Sequence, residues 1–227
     1  MWKPEESILA DLRGLLAAAC RATDSASQHA VTQALSSFNA LPDANKYLCT
    51  VLLLPQPHQT DVDRQGRGMA GLIVKNNIRR HFDPDLVPLF REAFLTALLQ
   101  SADDVFLSGT IGTVMTTIVA EGGLEQWPDL LNVLCRALVA SASEGSPNVA
   151  IMRALERVVE DNAGRLLGDP EQPIDGLLDL CIALLENPPA AASALRTVTL
   201  LLPHSHPAVP TRLGQFMAAL SRTAQSR

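Results

Sequence analysis

A chain of 227 residues, 47% hydrophobic and 19% charged, can bury a core, which excludes an intrinsically disordered protein. Aromatic residues are only 4% while Leu and Ala dominate, so the composition predicts an all-α chain. The net charge of −6 is uneven: residues 1–100 carry ten Lys/Arg against ten Asp/Glu, and residues 101–227 eight against fourteen. An acidic surface repels phosphate backbones, which speaks against nucleic-acid binding and fits a basic protein partner better.

The opening Met1-Trp2-Lys3-Pro4-Glu5-Glu6 is too acidic for a signal or transit peptide, and Asp11 and Arg13 interrupt the apolar run before Cys20. Apolar spacing then predicts helix pairs over 6–20 and 26–40, 43–54 and 63–81, 86–100 and 104–121. Further pairs are predicted over 127–141 and 147–166, then 174–187 and 190–202, with an extra helix over 210–222. Pro-rich or Gly-rich linkers fall at 55–58, 143–147, 168–170 and 203–207, and no separate domain boundary shows. No stretch approaches the ~18 apolar residues that span a bilayer. The expectation is a soluble intracellular protein without membrane contact.

One phrase recurs. Pro84-Asp85-Leu86-Val87 runs on through Phe90, Ala93 and Phe94. Forty-four residues later Pro128-Asp129-Leu130-Leu131 runs on through Leu134, Ala137 and Leu138. Pro42-Asp43 precedes the first copy by forty-two residues, and a looser copy follows at Asp175. Proline in a first helical turn loses no hydrogen bond, and an acid beside it complements the helix dipole. A lag of 42 to 47 residues is the HEAT and armadillo period, so the fold class expected is an α-α superhelix of about five hairpins plus one helix. Each hairpin has too little core to stand alone and must stack on its neighbours.

Motifs that carry chemistry are missing. Gly66-Arg67-Gly68-Met69-Ala70-Gly71 fits GxGxxG, but no strand precedes it and no βαβ alternation follows. Gly109-Thr110-Ile111-Gly112-Thr113 lacks the Gly-Lys-Ser/Thr of a phosphate loop and reads as small residues for close helix approach. His204-Ser205-His206 offers too few ligands for a closed metal site. Cys20, Cys49, Cys135 and Cys181 stand far apart without CxxC spacing, as buried thiols in a reducing compartment do. No nucleophile motif such as GxSxG frames any serine. The chain is expected to be no enzyme and to need no cofactor or metal.

Gly71-Leu72-Ile73-Val74-Lys75-Asn76-Asn77-Ile78 resembles the Leu-Lys-Asn phrase in the amino-terminal region of the importin-β (karyopherin-β) family. Trp2-Lys3-Pro4, Tyr47-Leu48, Thr116-Thr117-Ile118, Gly123 to Leu131 through Trp127-Pro128-Asp129, and Glu160-Asp161 narrow the resemblance to the transportin branch. It covers 1 to about 167 and thins from there to 227. The resemblance implies a nuclear import receptor moving between cytoplasm and nucleus through the nuclear pore. Its amino-terminal repeats, here about residues 1–100, would bind the small GTPase Ran in its GTP form to control cargo release. The contacts it implies are Lys75, Asn76, Asn77, Thr116, Thr117, Glu160 and Asp161, on second helices that line a concave face. Cargo proteins would bind through later repeats, and those lie beyond this sequence, so a partial Ran site without receptor activity is expected.

Other readings stand beside these. The polar cluster Lys75, Asn76, Asn77, Arg79 and Arg80 also fits a solvated helix end with a buried Asn. Glu160, Asp161 and Asn162 fit either an acid surface for a basic partner or a solvated helix end. Trp127 reads as a core anchor rather than a cargo contact. Gly66 and Gly68 depart from the family pattern, each costing ~1 kcal/mol in mid-helix. The competing function is a HEAT-repeat scaffold that joins proteins without sensing nucleotide.

Overall fold

The structure is a computed structural model that describes residues 2–54, 60–143, 146–170, 172–204 and 206–225. The linkers expected at 55–58 and around 144–145, and Ser205, lie outside the described residues. Every regular element among the described residues is helical, and neighbouring helices stack in contact as expected of HEAT repeats. The chain divides into two compact units, Met1–Glu121 and Gly122–Arg227.

The first unit contains α1 (Glu6–Arg21), α2 (Ser25–Asn39), α3 (Ala44–Leu53), α4 (Asp61–Arg80), α5 (Leu86–Gln100) and α6 (Val105–Gly122), whose last residue crosses the boundary. The Pro-Asp punctuation stands just ahead of α3 and α5, and other caps are local too. Asp24 accepts the Ser27 amide at 2.9 Å to start α2. Thr60 and Asp63 form a reciprocal capping box at the start of α4, at 3.2 and 2.9 Å. Acids in the first turn of α4 and Arg79 and Arg80 in its last turn both complement the dipole.

Its core runs from Leu9, Leu12 and Leu16 of α1 through the almost wholly buried α3 to Phe90 and Phe94 of α5 and Ile111, Val114 and Ile118 of α6. First helices stack as the repeat predicts, α1 on α3 and α3 on α5. The first hairpin departs from the pattern. α1 lies directly against α4, and α2 has no buried residue at all. Composition explains it. α2 offers one narrow stripe, Val31, Leu35 and Phe38, all half-buried, on a helix otherwise of Ser, Ala, Gln, Thr, His and Asn. Phe38 meets the Tyr47 ring edge-on at 6.3 Å, and Trp2 meets the same ring at 5.0 Å.

The glycines of α4 are packing devices and not a nucleotide loop. A Cβ on Gly66 would lie 3.4 Å from Cβ of Leu16, so α1 comes in close there. A Cβ on Gly68 would collide with the Phe106 ring, and one on Gly71 with the Thr110 methyl and Leu52. The helix-propensity cost is thus offset by close helix approach. Between them Arg67, 6% exposed, donates from Nε and Nη2 to the Leu52 carbonyl at 3.1 and 2.8 Å, capping the last turn of α3.

One expectation is corrected here. Val105–Gly122 is long and apolar enough, by length and composition, to cross a membrane. Its Gly, Ser and Thr residues disguise a run whose one charged residue is Glu121, and 61% of it is buried, as in a core helix.

The second unit opens with a 3₁₀ turn (Leu124–Gln126) reached through Gly123 at φ 84°, where a side chain is disfavoured. Then follow α7 (Leu130–Ser143), α8 (Val149–Gly168), α9 (Ile174–Leu184), α10 (Pro188–Leu201), a 3₁₀ turn and α11 (Ala208–Gln225). Asn148 caps α8 by accepting the Ala150 and Ile151 amides at 3.0 and 3.1 Å. Stacking here is regular: α7, α9 and α11 pack in succession, and α8 packs on α10. Trp127, 1% exposed, is buried as expected of a core anchor. His206 is used as a cap, its Nδ1 accepting the Ala208 amide at 3.2 Å. The apolar residues of the last helix are divided between interior and surface. Phe216 is buried, while Leu213 and Met217 are 49% and 55% exposed.

Candidate protein-binding face

α4 supplies the first unit's candidate surface. Its buried stripe, Ala70, Val74 and Ile78, fixes which side turns outward. Leu72, Lys75, Asn76 and Arg79 follow at steps of three and four residues on that outer side, with Arg80 beside them. Asn76, Arg79 and Arg80 are exposed and Lys75 half-buried.

Asn77 does something else. Its Nδ2 donates to Asn45 Oδ1 at 2.7 Å and to Asn39 Oδ1 at 3.2 Å. The amide ties α4 to α3 and to the last residue of α2, so its donors are used inside the fold. The solvated helix end with an internally satisfied Asn is therefore present, one residue along from the exposed Asn76.

Thr116 and Thr117 of α6 are 2% and 4% exposed, and both hydroxyls donate to the Thr113 carbonyl, at 3.0 and 2.8 Å. A threonine hydroxyl that returns to its own helix backbone is a normal way to bury the group. In the second unit Glu160 and Asp161 are exposed on α8, whereas Asn162 is 3% exposed and donates to the Val158 carbonyl at 3.1 Å. One turn earlier Glu156 holds Arg196 of α10 at 3.0 Å.

The seven residues expected to meet a partner thus divide. Lys75, Asn76, Glu160 and Asp161 are presented, and Asn77, Thr116 and Thr117 are engaged or buried within the fold. Sequence reading left Leu72, Arg79 and Phe106 out of the site, although the first two lie on the Lys75–Asn76 stripe. Phe106, 53% exposed, reaches α4 only through the fold.

Among the described residues no three metal-ligating side chains converge. Burial pushes the Cys49 thiol up to about 12 and the Cys135 thiol to about 11, and raises Cys181 as well. All four thiols are free and these three are protonated at neutral pH, which removes them as nucleophiles.

No family model matches the chain. Individual relatives do. The chain is 32% identical to transportin-1 of Homo sapiens over 170 residues, 74% of this chain and 18% of the relative. It is 27% identical to importin subunit beta-2 of Schizosaccharomyces pombe over 207 residues, 86% of this chain and 21% of the relative. Transportin of Dictyostelium discoideum is 28% identical over 146 residues, 61% of this chain and 14% of the relative. The chain spans about a fifth of the length of these curated relatives.

Proposed function

Because the chain belongs by homology with the transportins, at about 30% identity over most of its length, we propose that it binds the small GTPase Ran in its GTP form. The family consists of non-enzymatic transport receptors that shuttle between nucleus and cytoplasm. The function proposed is that of an import receptor's amino-terminal part, with cargo proteins held by later repeats. Residues 1–100 are the proposed Ran-binding region.

The observation that carries this reading is the exposure of Asn76 beside Lys75 on the outer side of α4, within the phrase that resembles the family's own. An exposed amide both donates and accepts, so it can pair with a partner's backbone in a loop whose conformation depends on nucleotide. Asn77 holds α4 against α2 and α3 and so positions its neighbours. Thr116 and Thr117 are proposed to act from within, by keeping α6 tightly packed. Glu160 and Asp161 are proposed as a distinct acidic contact for basic residues.

Calorimetry of the chain against Ran-GTP and Ran-GDP tests the reading, with Asn76→Ala as the variant. Preference for the GTP form is expected, with a loss of roughly thirty-fold on Asn76→Ala, the usual size for a central contact. Equal affinity for both nucleotide states, or no binding, rejects it.

A further inference from the structure

The outer side of α4 carries more than the Lys75–Asn76 pair. Lys75, Arg79 and Arg80 form no ion pair among the described residues. The acids that follow α4 are occupied elsewhere: Asp83 accepts the Asp85 amide at 3.0 Å, and Asp85 lies 3.8 Å from Lys46. Most other cations of this unit have partners, Lys46 on Asp43 at 3.0 Å and Arg64 on Asp104 at 3.4 Å. The helix dipole favours charge at this end but supplies no acceptor for two guanidinium groups. A local cluster of unpaired cations thus stands out on a chain of net charge −6.

Apolar surface lies along the same side. Leu72 is 43% exposed, Phe106 53% and Val105 61%. Phe106 sits over Gly68, whose missing side chain leaves room for the ring against α4. At 1.5 Å per residue, Gly68 and Arg79 are separated by roughly 16 Å along the helix. Large exposed apolar side chains at one end and unpaired cations at the other make a stripe with direction.

We infer that this stripe is a docking surface for an acidic protein segment that sets a large apolar side chain between Phe106 and Leu72 and its carboxylates against Arg79 and Arg80. The apolar end discriminates against a nucleic acid, whose phosphates would use the cations and leave Phe106 and Leu72 in water. Bidentate guanidinium–carboxylate pairing would add direction to the contact. The inference rests on the reading that α4 receives Ran-GTP, and it states what kind of segment that partner presents. It also differs from the basic partner suggested by the acidic second half of the chain.

The test uses the full chain and Ran-GTP at low and high salt, with Arg79→Glu/Arg80→Glu and Phe106→Ala beside Asn76→Ala. All these residues are exposed, so unchanged thermal melting is the check that each variant folds. The charge-reversal variant is expected to bind about thirty-fold more weakly at low salt, with the deficit shrinking at high salt as screening sets in. Phe106→Ala is expected to lose about ten-fold at both. Wild-type affinity in either variant, with Asn76→Ala still impaired, overturns this inference and leaves the Ran reading standing. A deficit that does not shrink with salt overturns it as well. Absence of wild-type binding overturns both. Displacement of Ran-GTP by single-stranded polyuridylate, lost with Arg79→Glu/Arg80→Glu but not with Phe106→Ala, overturns the protein-segment reading in favour of a nucleic acid.

Discussion

The two units solve the same packing problem with different regularity. In the second, α8 lies on α10 and α7, α9 and α11 follow one another, as a repeat array requires. In the first, α2 stays outside with nothing buried while α1 closes on α4 through Gly66. The difference follows from apolar supply. α8 buries Ile151, Met152, Leu155, Val158, Val159 and Leu166, enough to hold helices on either side. α2 has three apolar side chains in a single file and competes poorly with the leucines of α1. The lesson is that a hairpin period states where helices lie and leaves open which of them share a core.

The largest effect expected is in the second unit. Trp127→Ala removes a ring that is 1% exposed and should cost about 3–5 kcal/mol, read by urea unfolding. A cost below ~1 kcal/mol would mean that the regular unit can repack around the loss, unlike a close-packed core. Next come the glycines. Gly71→Ala drives a methyl into Thr110 and Leu52, a buried collision expected to cost about 1–3 kcal/mol. Gly214→Ala in α11, where nothing lies within 4 Å, should stabilise by about 0.5–1 kcal/mol. Thermal melts showing the same sign for both would break the claim that the glycines of α4 are packing devices.

Phe38→Ala tests the outlying helix. With its ring half-buried against Tyr47, the loss should be no more than about 1 kcal/mol. Amide exchange should already be faster throughout α2 than in α10. Protection of α2 equal to that of α10 would show that it is held as firmly as the regular helices.

The smallest effect separates ion pairs from caps. α11 is fastened to α9 by Arg212 with Asp175 and Asp179, and to the turn after α9 by Arg222 with Glu186. Hydrogen bonding to Arg212 holds the Asp179 carboxyl below its ordinary value of 3.8, as bonding to Ser27 does for Asp24 at the start of α2. A depressed carboxylate stabilises above its unfolded pKa, and the contribution fades as pH falls from 3.8 through the lower folded value. Both ends should therefore loosen in acid. Salt at neutral pH should loosen α11 alone, since screening weakens exposed ion pairs far more than a short cap hydrogen bond. Amide exchange with and without 1 M salt reads the difference.

Much was legible because its causes are local. Pro and acid before a helix, apolar steps of three and four, and the 42- to 47-residue lag place the helices within a few residues of where they lie. Lys75 and Asn76 were legible as surface residues because they follow Val74 on the far side of the buried stripe. Asn77 was not separable from Asn76, since a single step of about 100° turns it toward Asn39 and Asn45. Thr116 and Thr117 look polar in sequence, and only the backbone carbonyl of Thr113 shows how their hydroxyls are buried.

By itself the sequence determined the all-α class, the hairpin period, the absence of a catalytic motif and the phrases shared with the transportins. Those properties depend on periodicity and residue type within one or two turns. Tertiary structure alone decided that α1 replaces α2 against α4, that Arg67 caps α3 from another helix, and that Phe106 comes to lie on Gly68. The physical reason is that burial is a competition. Each apolar face takes the best surface within reach, and that choice depends on every helix in the unit at once, which no local pattern records.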